Sequence, residues 1–600
     1  MRARQTNRWW ALAMGLAAAG WIVAAGAQRA AGAEDDTGPQ RPDATLTFRG
    51  RTATVGVGFV WGASTVEYQG RSYPVRVDGF VLGAIGTASI DGRGQVFDLS
   101  KVEDLNGDYT ALASSGAFGV GSGRLVMRNQ KGVRIVLDAT SKGLQLGIGP
   151  RGITLSVGEA DGPPASAEAR LPETLGFGEA RFGRFSFRPT LNAQLVGFAE
   201  GSAGFNGQWS AGPVERADYW FEHSNEIGLN AIYDAGDYGT LKARVSGVLS
   251  LTGGGVDAAV SNGSEVNNHQ YSLESAYLTW QSGNLFPKLG YNALELGGGN
   301  MNYQVFDGFL FWDGGQDSGD RGGNWLSARK AFREVGLVRL NFGGLLLEGV
   351  HLKYNDDPDT GTRLVAGRIE YVKDHWIVEH AKLGLMYFKI YDSDQAPRDG
   401  MDGIYAYHEA TPFSSLPGLT YTLSYASETH SKGSGLTTAY AWYVAPAYEF
   451  SSVAWKPKLT YRFAQFSGGG RHGFDSLFTG LADWGSWFQG EVLGEFVLSN
   501  SSLISHQVRL ELQPSESVKF NLIYYKFLLN DRKQEFGVAP SKVCCHALAD
   551  EFDVITDVSL ANWWSITATL GVAVPNQGFE QAVNGTSTWV HAMLYTNFNF

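Results

Sequence analysis

Hydrophobic and polar positions alternate residue by residue over the last stretch of the chain. From Thr588 onward, Val590, Ala592, Leu594, Thr596, Phe598 and Phe600 fall on one face, and His591, Met593, Tyr595, Asn597 and Asn599 fall on the other. Successive residues of a strand point to opposite sides, so this segment is expected to be a strand with one face for lipid and one for water. Such a strand, ending in an aromatic residue, suits the closing position of an outer-membrane β-barrel and its contact with the barrel-assembly machinery.

The same period recurs back to about Arg184 and yields about eighteen candidate strands in up-and-down order, an even number as bacterial barrels require. Short links are expected at 234–239, 342–344, 414–418, 451–452, 513–517 and 560–562, facing the periplasm. Long links are expected at 251–270, 298–328, 468–502, 531–546 and 575–587, facing outward. The fold class is therefore all-β: a large antiparallel up-and-down transmembrane β-barrel over residues 184–600, preceded by a small soluble β-domain. That domain, residues 41–159, consists of short apolar runs broken by turn residues such as Asn106-Gly107. Residues 160–183, opening with Asp161-Gly162-Pro163-Pro164, form the linker.

Composition supplies the address. The 600 residues include 78 glycines, are 44% hydrophobic and have a mean hydropathy of -0.15. After Ala33 no apolar run approaches the ~20 residues of a membrane helix. Residues 1–33 carry Arg2, Arg4 and Arg8, an apolar stretch from Trp9 to Ala27, and Ala31-Gly32-Ala33, the pattern of a cleaved secretory signal peptide. A retained anchor is the alternative. Either way the chain leaves the cytoplasm, which places the barrel in the outer membrane and the first domain in the periplasm, where a partner for it is a candidate.

Several chemistries lose ground on the same residues. A net charge of -12 argues against nucleic acid as a partner. Gly119, Gly121 and Gly123 lead into a strand-like run rather than a helix, so no phosphate loop is expected. Cys544 and Cys545 are adjacent and read as two loop thiols rather than a redox or zinc motif. Asp307, Asp313, Asp317 and Asp320 lack calcium-loop spacing, and the link that carries them is expected to be solvated or to fold inward as a constriction. No cofactor or metal is expected.

Strand parity assigns each charge a side. Arg188, Lys242, Arg244, Arg333, Arg339, Arg368, Lys456, Lys458, Arg462, Arg509 and Lys519 are assigned to the lumen, as are Glu222, Glu226, Glu370, Glu449, Glu511, Asp553 and Asp557. The acids can pair with cations across strands and brace the wall, yet the cations outnumber them. A basic, narrow pore concentrates anions, so passage of anionic solutes is expected. Tyr219, Trp220, Trp442, Tyr448, Trp455, Trp563 and Trp564 lie near strand ends and are expected in interfacial girdles. Tyr443, Tyr525 and Tyr595 point inward.

Three runs carry a family resemblance: Asp483-Trp484-Gly485-Ser486-Trp487-Phe488-Gln489-Gly490-Glu491, then residues 498–510 ending Gln507-Val508-Arg509-Leu510, then Pro514-Ser515-Glu516-Ser517. Over residues 456–600, and more weakly over 184–455, the chain resembles the alginate-export family of outer-membrane barrels. The resemblance implies a monomeric eighteen-stranded pore whose basic constriction selects an acidic polysaccharide, with Arg462 and Arg509 in the matching strands. The amino-terminal domain falls outside the family pattern, and Tyr291-Asn292 stand where many relatives carry Arg-Gln. The rival readings are an anchor or adhesin with a plugged barrel that displays the first domain, and an outer-membrane hydrolase. The second would need a serine and a histidine on one face, whereas Ser505-His506 and His223-Ser224 alternate.

Overall fold

A computed structural model of the chain describes residues 42–115, 121–142, 146–148, 153–157 and 178–600, the last apart from 179, 208–214, 217, 256–259, 262–268, 283–291, 304–324, 327–328, 343–344, 357–358, 374–378, 414, 417, 431–437, 469–472, 478–488, 516, 532–542 and 562. The expected signal peptide, most of the linker and the four aspartates of the 298–328 link lie outside the described residues.

The amino-terminal part forms a seven-stranded antiparallel sheet. Its longest element is a hairpin of Ala44–Tyr68 and Arg71–Phe97. The hairpin turns on Gln69 and Gly70, both at positive φ (50° and 77°). That is the backbone a two-residue link needs if its twist is to match the strands. Strand Arg71–Phe97 then pairs with Arg134–Lys142, followed in space by Gly121–Asn129, Gly107–Ser115 and Ile153–Val157, and the last returns to Arg71–Phe97. Leu46, Val66, Val96, Tyr109, Met127, Ile135, Leu137 and Leu155 fill its core.

Eighteen further strands, from Phe185–Gly201 to Trp589–Asn599, close into an antiparallel barrel, with the short strand Ala180–Phe182 turning back on the first. The seam joins first strand to last. Leu191 and Phe600 exchange backbone hydrogen bonds (3.1 and 2.8 Å), Asn192 Nδ2 donates to Asn597 Oδ1 (2.9 Å), and Gln194 Nε2 donates to Tyr595 Oη (2.7 Å). Short links at 235–239, 343–344, 516–517 and 562–563 alternate with long ones at 302–331, 467–502, 530–546 and 576–588. The contrast fades mid-chain, where 430–437 and 450–457 are equal in length and the expected short link 451–452 is extended because its flanking strands stop at Glu449 and start at Lys458. No helix among the described residues is long and apolar enough to cross a membrane.

Parity holds around the wall. Leu195, Val245, Leu385, Leu522, Val554, Leu570 and Leu594 are exposed on the outer face. Trp563 stacks on Trp564 and Phe600 at the short-link end, and Phe598 on Trp564 (ring centroids 6.0, 5.7 and 5.6 Å), a girdle where amphipathic rings meet headgroups. Trp220 departs from the girdle expectation. It is buried on the inner face, stacked on Phe198 (4.2 Å), and its indole N–H donates to Glu222. The reason is that the long-link half of the lumen is apolar: Phe198, Phe205, Trp220, Trp325, Val492, Leu493, Phe579 and Trp589 form one core inside the wall. Cys544 and Cys545 also depart from expectation. Their Cα atoms are 3.8 Å apart as sequence neighbours, and the two thiols are joined in a disulfide rather than left free.

Candidate functional site

Three neighbouring strands, Lys458–Phe466, Leu503–Ser515 and Val518–Leu529, present their odd or even members inward so that cations gather on one carboxylate. Lys458 Nζ, Arg509 Nη2 and Lys519 Nζ lie 3.5, 3.0 and 2.9 Å from the Glu511 carboxylate. Arg462 sits further along Lys458–Phe466 on the same face, only 2% exposed. Register places Glu449 opposite Lys458, and Asp557 opposite Lys519. Asp557 also accepts a hydrogen bond from Thr567 (2.8 Å). Three cations thus converge on Glu511, with Arg462, Glu449 and Asp557 on the same inner face. Gln507 donates to the inward Tyr525 (2.8 Å) beside them.

A second group spans the wall from Asn292–Met301 to Asp402–Thr411. Glu348 lies between two arginines, taking a short bond from Arg339 Nε and one of 3.0 Å from Arg368 Nε, and it also accepts from Tyr303 (2.6 Å). Arg339 reaches Glu295 (3.6 Å), Arg368 reaches Glu370 (3.7 Å), and Lys382 reaches the same Glu370 (3.8 Å). Charges alternate along this ladder, which makes it a brace as well as a lining. A third group is smaller: Arg244 donates to Glu226 (2.6 Å) and Asn230 (3.0 Å), with Lys242 two residues earlier on the same face and Arg188 opposite Asn230 in register.

Two expected members lie elsewhere. Lys456 is not in a strand but in the turn before one, exposed and at φ 42°, because the strand begins only at Lys458. Arg333 is exposed at the long-link end of its strand and ion-pairs with Asp359 of the next loop. The remaining cations, with Lys382, lie within about six residues of the short-link end of their strands, roughly 20 Å at the rise of a strand.

The inward acids divide by depth. Glu226, Glu370 and Glu511 meet cations, but Glu222 and Asp553 hold loop backbone instead. Glu222 accepts the N–H groups of Trp325 (3.0 Å) and Leu326 (2.7 Å). Glu274 accepts those of Lys330 and Ala331 (2.9 and 3.0 Å), and Glu428 that of Asp475 (3.0 Å). Glu551 takes Val492 and Leu493 (2.8 and 2.9 Å), while Asp553 takes Glu491 (3.2 Å). Each acid accepts from a backbone donor that would otherwise be buried without a partner. Gly490, at φ 94°, approaches Glu551 so closely that a side chain there would strike its carboxylate. Burial, with Asp553 close by, pushes the Glu491 carboxyl well above the ordinary value. Arg398 and Asp475 clasp two long links by a bidentate pair (2.7 and 2.9 Å).

Glu274, Glu295, Glu348, Glu551 and Lys382 were not read from the sequence. Glu274 is the extra residue of a bulge opposite Ser246/Gly247, and the bulge leaves both it and Ser275 buried. In Leu345–Lys353 apolar residues occupy both faces, and Leu346, Val350 and Leu352 are inward beside Glu348, so polarity alone does not mark its side.

The comparisons bear on the half of the wall that carries Glu511. Residues 387–586 match the alginate-export family. The match takes in the Arg398–Asp475 clasp and the Glu511 cluster, and it leaves out the Arg339–Glu348–Arg368 ladder. Among solved structures, the chain is similar to OccAB2 of Acinetobacter baumannii (10% identity, 69% of this chain and 98% of that one, TM-score 0.45). It is also similar to OccK9 (OpdG) of Pseudomonas aeruginosa (13% identity, 69% and 98%, TM-score 0.44) and to OccK11 (OpdR) of the same organism (10% identity, 69% and 96%, TM-score 0.43). No curated protein matches the chain. The alginate-export match on a closed eighteen-stranded barrel supports an outer-membrane pore or export channel.

Proposed function

We propose that the chain is an outer-membrane pore that passes anionic solutes, acidic polysaccharide or its fragments among them, through the basic half of its lumen. The carrying observation is the Glu511 cluster, where Lys458, Arg509 and Lys519 converge on a single carboxylate with Arg462 close by. Cations crowded on a low-dielectric wall focus field into the pore and raise the local anion concentration. The acids that would cancel this field are in part engaged elsewhere, since Glu222, Glu274, Glu551 and Asp553 bind loop backbone toward the opposite end. The amino-terminal sheet stands on the periplasmic side in this reading, after removal of residues 1–33.

Conductance of the purified protein in planar bilayers tests the proposal. An anion-selective step is expected, and Arg462→Glu with Arg509→Glu should reduce or reverse the preference. Unchanged selectivity in folded variants would refute the lining. A plugged anchor is favoured by one observation, the clamping of Trp325–Leu326 and of 491–493 inside the wall. Folded protein that carries no current under any condition would decide for that reading.

A further inference from the structure

The outer face of the barrel is mostly apolar among the described residues, with polar side chains such as His351, Lys389 and His408 set into it, and one polar row joins several strands. In register across the four strands Lys458–Phe466, Leu503–Ser515, Val518–Leu529 and Ala547–Ala561 stand Phe463, His506, Lys526 and Asp550. His506 Nδ1 and Tyr461 Oη share a hydrogen bond of 2.8 Å. Lys526 Nζ donates to Asp550 Oδ1 (3.1 Å), and the same carboxylate accepts from Tyr524 Oη (2.5 Å) and Asn576 Nδ2 (2.7 Å). Asp550 therefore has three donors. The Lys526 side chain stays 40% exposed, and an ammonium carries three N–H groups, so the Asp550 contact does not exhaust it.

The height of the row matters. In Trp564–Pro575 the outward residues run from Trp564, in the lower girdle, to Val574, the register partner of Asp550. At ~3.4 Å per residue and a tilt of ~40°, that span rises roughly 25 Å, the height of the apolar band of a barrel. The row thus marks the upper edge of the band, at the outer-leaflet headgroups. Directly below it, Val508, Leu522, Phe552 and Val554 are exposed and apolar.

We propose that His506 and Lys526 form a docking site for the phosphate of a phosphorylated glycolipid of the outer leaflet, with its acyl chains on the ledge of Val508, Leu522, Phe552 and Val554. Adjacent strands put the two side chains about 5 Å apart at Cβ, a span one phosphate can bridge. Asp550, itself held by Tyr524 and Asn576, fixes the Lys526 ammonium at the rim. A free phosphate would use Lys526 and His506 but gain nothing from the ledge. The inference rests on the outer-membrane placement of the barrel and not on the anion preference of its lumen.

Native mass spectrometry of the full-length protein in detergent, titrated with a diphosphorylated glucosamine lipid and with the same lipid after dephosphorylation, tests it. The wild type should bind the phosphorylated form at least about fivefold more tightly, and Lys526→Gln should lose about fivefold, the effect of one cation at a charged lipid surface. Lys526→Arg should retain binding, and His506→Gln should lose about twofold. Equal binding of the two lipids, undiminished binding by folded Lys526→Gln, or displacement by inorganic phosphate at equal concentration would overturn the site. Heat-modifiable electrophoretic mobility reports folding. If Lys526→Gln does not fold, the two-lipid comparison on the wild type and His506→Gln decide. Failure of the wild type to insert into lipid vesicles would count against the membrane placement itself.

Discussion

Replacing Glu511 with glutamine should make the pore more selective for anions. The carboxylate lies 2.9–3.5 Å from Lys519, Arg509 and Lys458 and neutralises part of their charge. Removing it adds one positive charge to the lumen lining. For a monovalent ion passing at roughly 8 Å, with an effective dielectric of ~40, that charge is worth about 1 kcal/mol before screening. Salt at ~0.1 M roughly halves this, leaving about 0.5 kcal/mol. The anion gains that amount and the cation loses it, so the permeability ratio should rise about fivefold by the same arithmetic. The reversal potential of the folded variant in a potassium chloride gradient reads the ratio directly. The direction is informative because the substitution also breaks a buried ion-pair group, which destabilises that part of the wall. A variant merely loosened by that loss would widen and become less selective. A fall in anion preference, or none at all, would therefore refute the electrostatic role given to this cluster.

Two further outcomes follow from the long-link half of the lumen. Glu222→Ala removes both charge-assisted bonds to Trp325 and Leu326 and should cost the docked link about 3–5 kcal/mol, visible as faster backbone amide exchange at those two residues and as raised or noisier conductance; unaltered exchange would show that the apolar packing alone holds the segment. The Arg398–Asp475 clasp should respond to acid. Burial by itself would raise the Asp475 carboxyl, but the Arg398 guanidinium and the Leu477 N–H outweigh it and hold the group below its ordinary value. A carboxyl depressed in the folded state stabilises above its unfolded value and loses that contribution as pH falls through the folded one, so the clasp should be intact from neutral pH down to the ordinary aspartate range of ~4 and open only in stronger acid. Crosslinking between the two links, followed against pH, checks this; opening near neutral pH would contradict it.

The architecture was legible because a barrel wall writes its two faces into a period of two. Arg462, Arg509, Lys519, Glu511 and the seam residues Asn597 and Tyr595 point inward as parity requires. Legibility failed where the inner face is not polar. Phe198, Trp220 and Trp589 face inward because folded-in links cover them, and there polarity no longer separates lumen from lipid. It failed again at strand ends, where Lys456 falls in a turn and Arg333 at an exposed rim, since alternation carries no signal for the residue at which a strand stops. The loop-holding task of Glu222 and Asp553 could not be read at all. Its partners are backbone N–H groups, which every segment possesses and none advertises.

The seam has a kinetic meaning. Asn192 and Asn597 meet across 405 positions of chain, and the ring is complete only when they do. Closing a loop of that length costs about 5 kcal/mol in chain entropy. Until it closes, Phe185–Gly201 and Trp589–Asn599 each present a free edge able to pair with a foreign strand. The most hazardous intermediate is therefore the nearly finished sheet, and whatever catalyses assembly must shelter two edges and release them together.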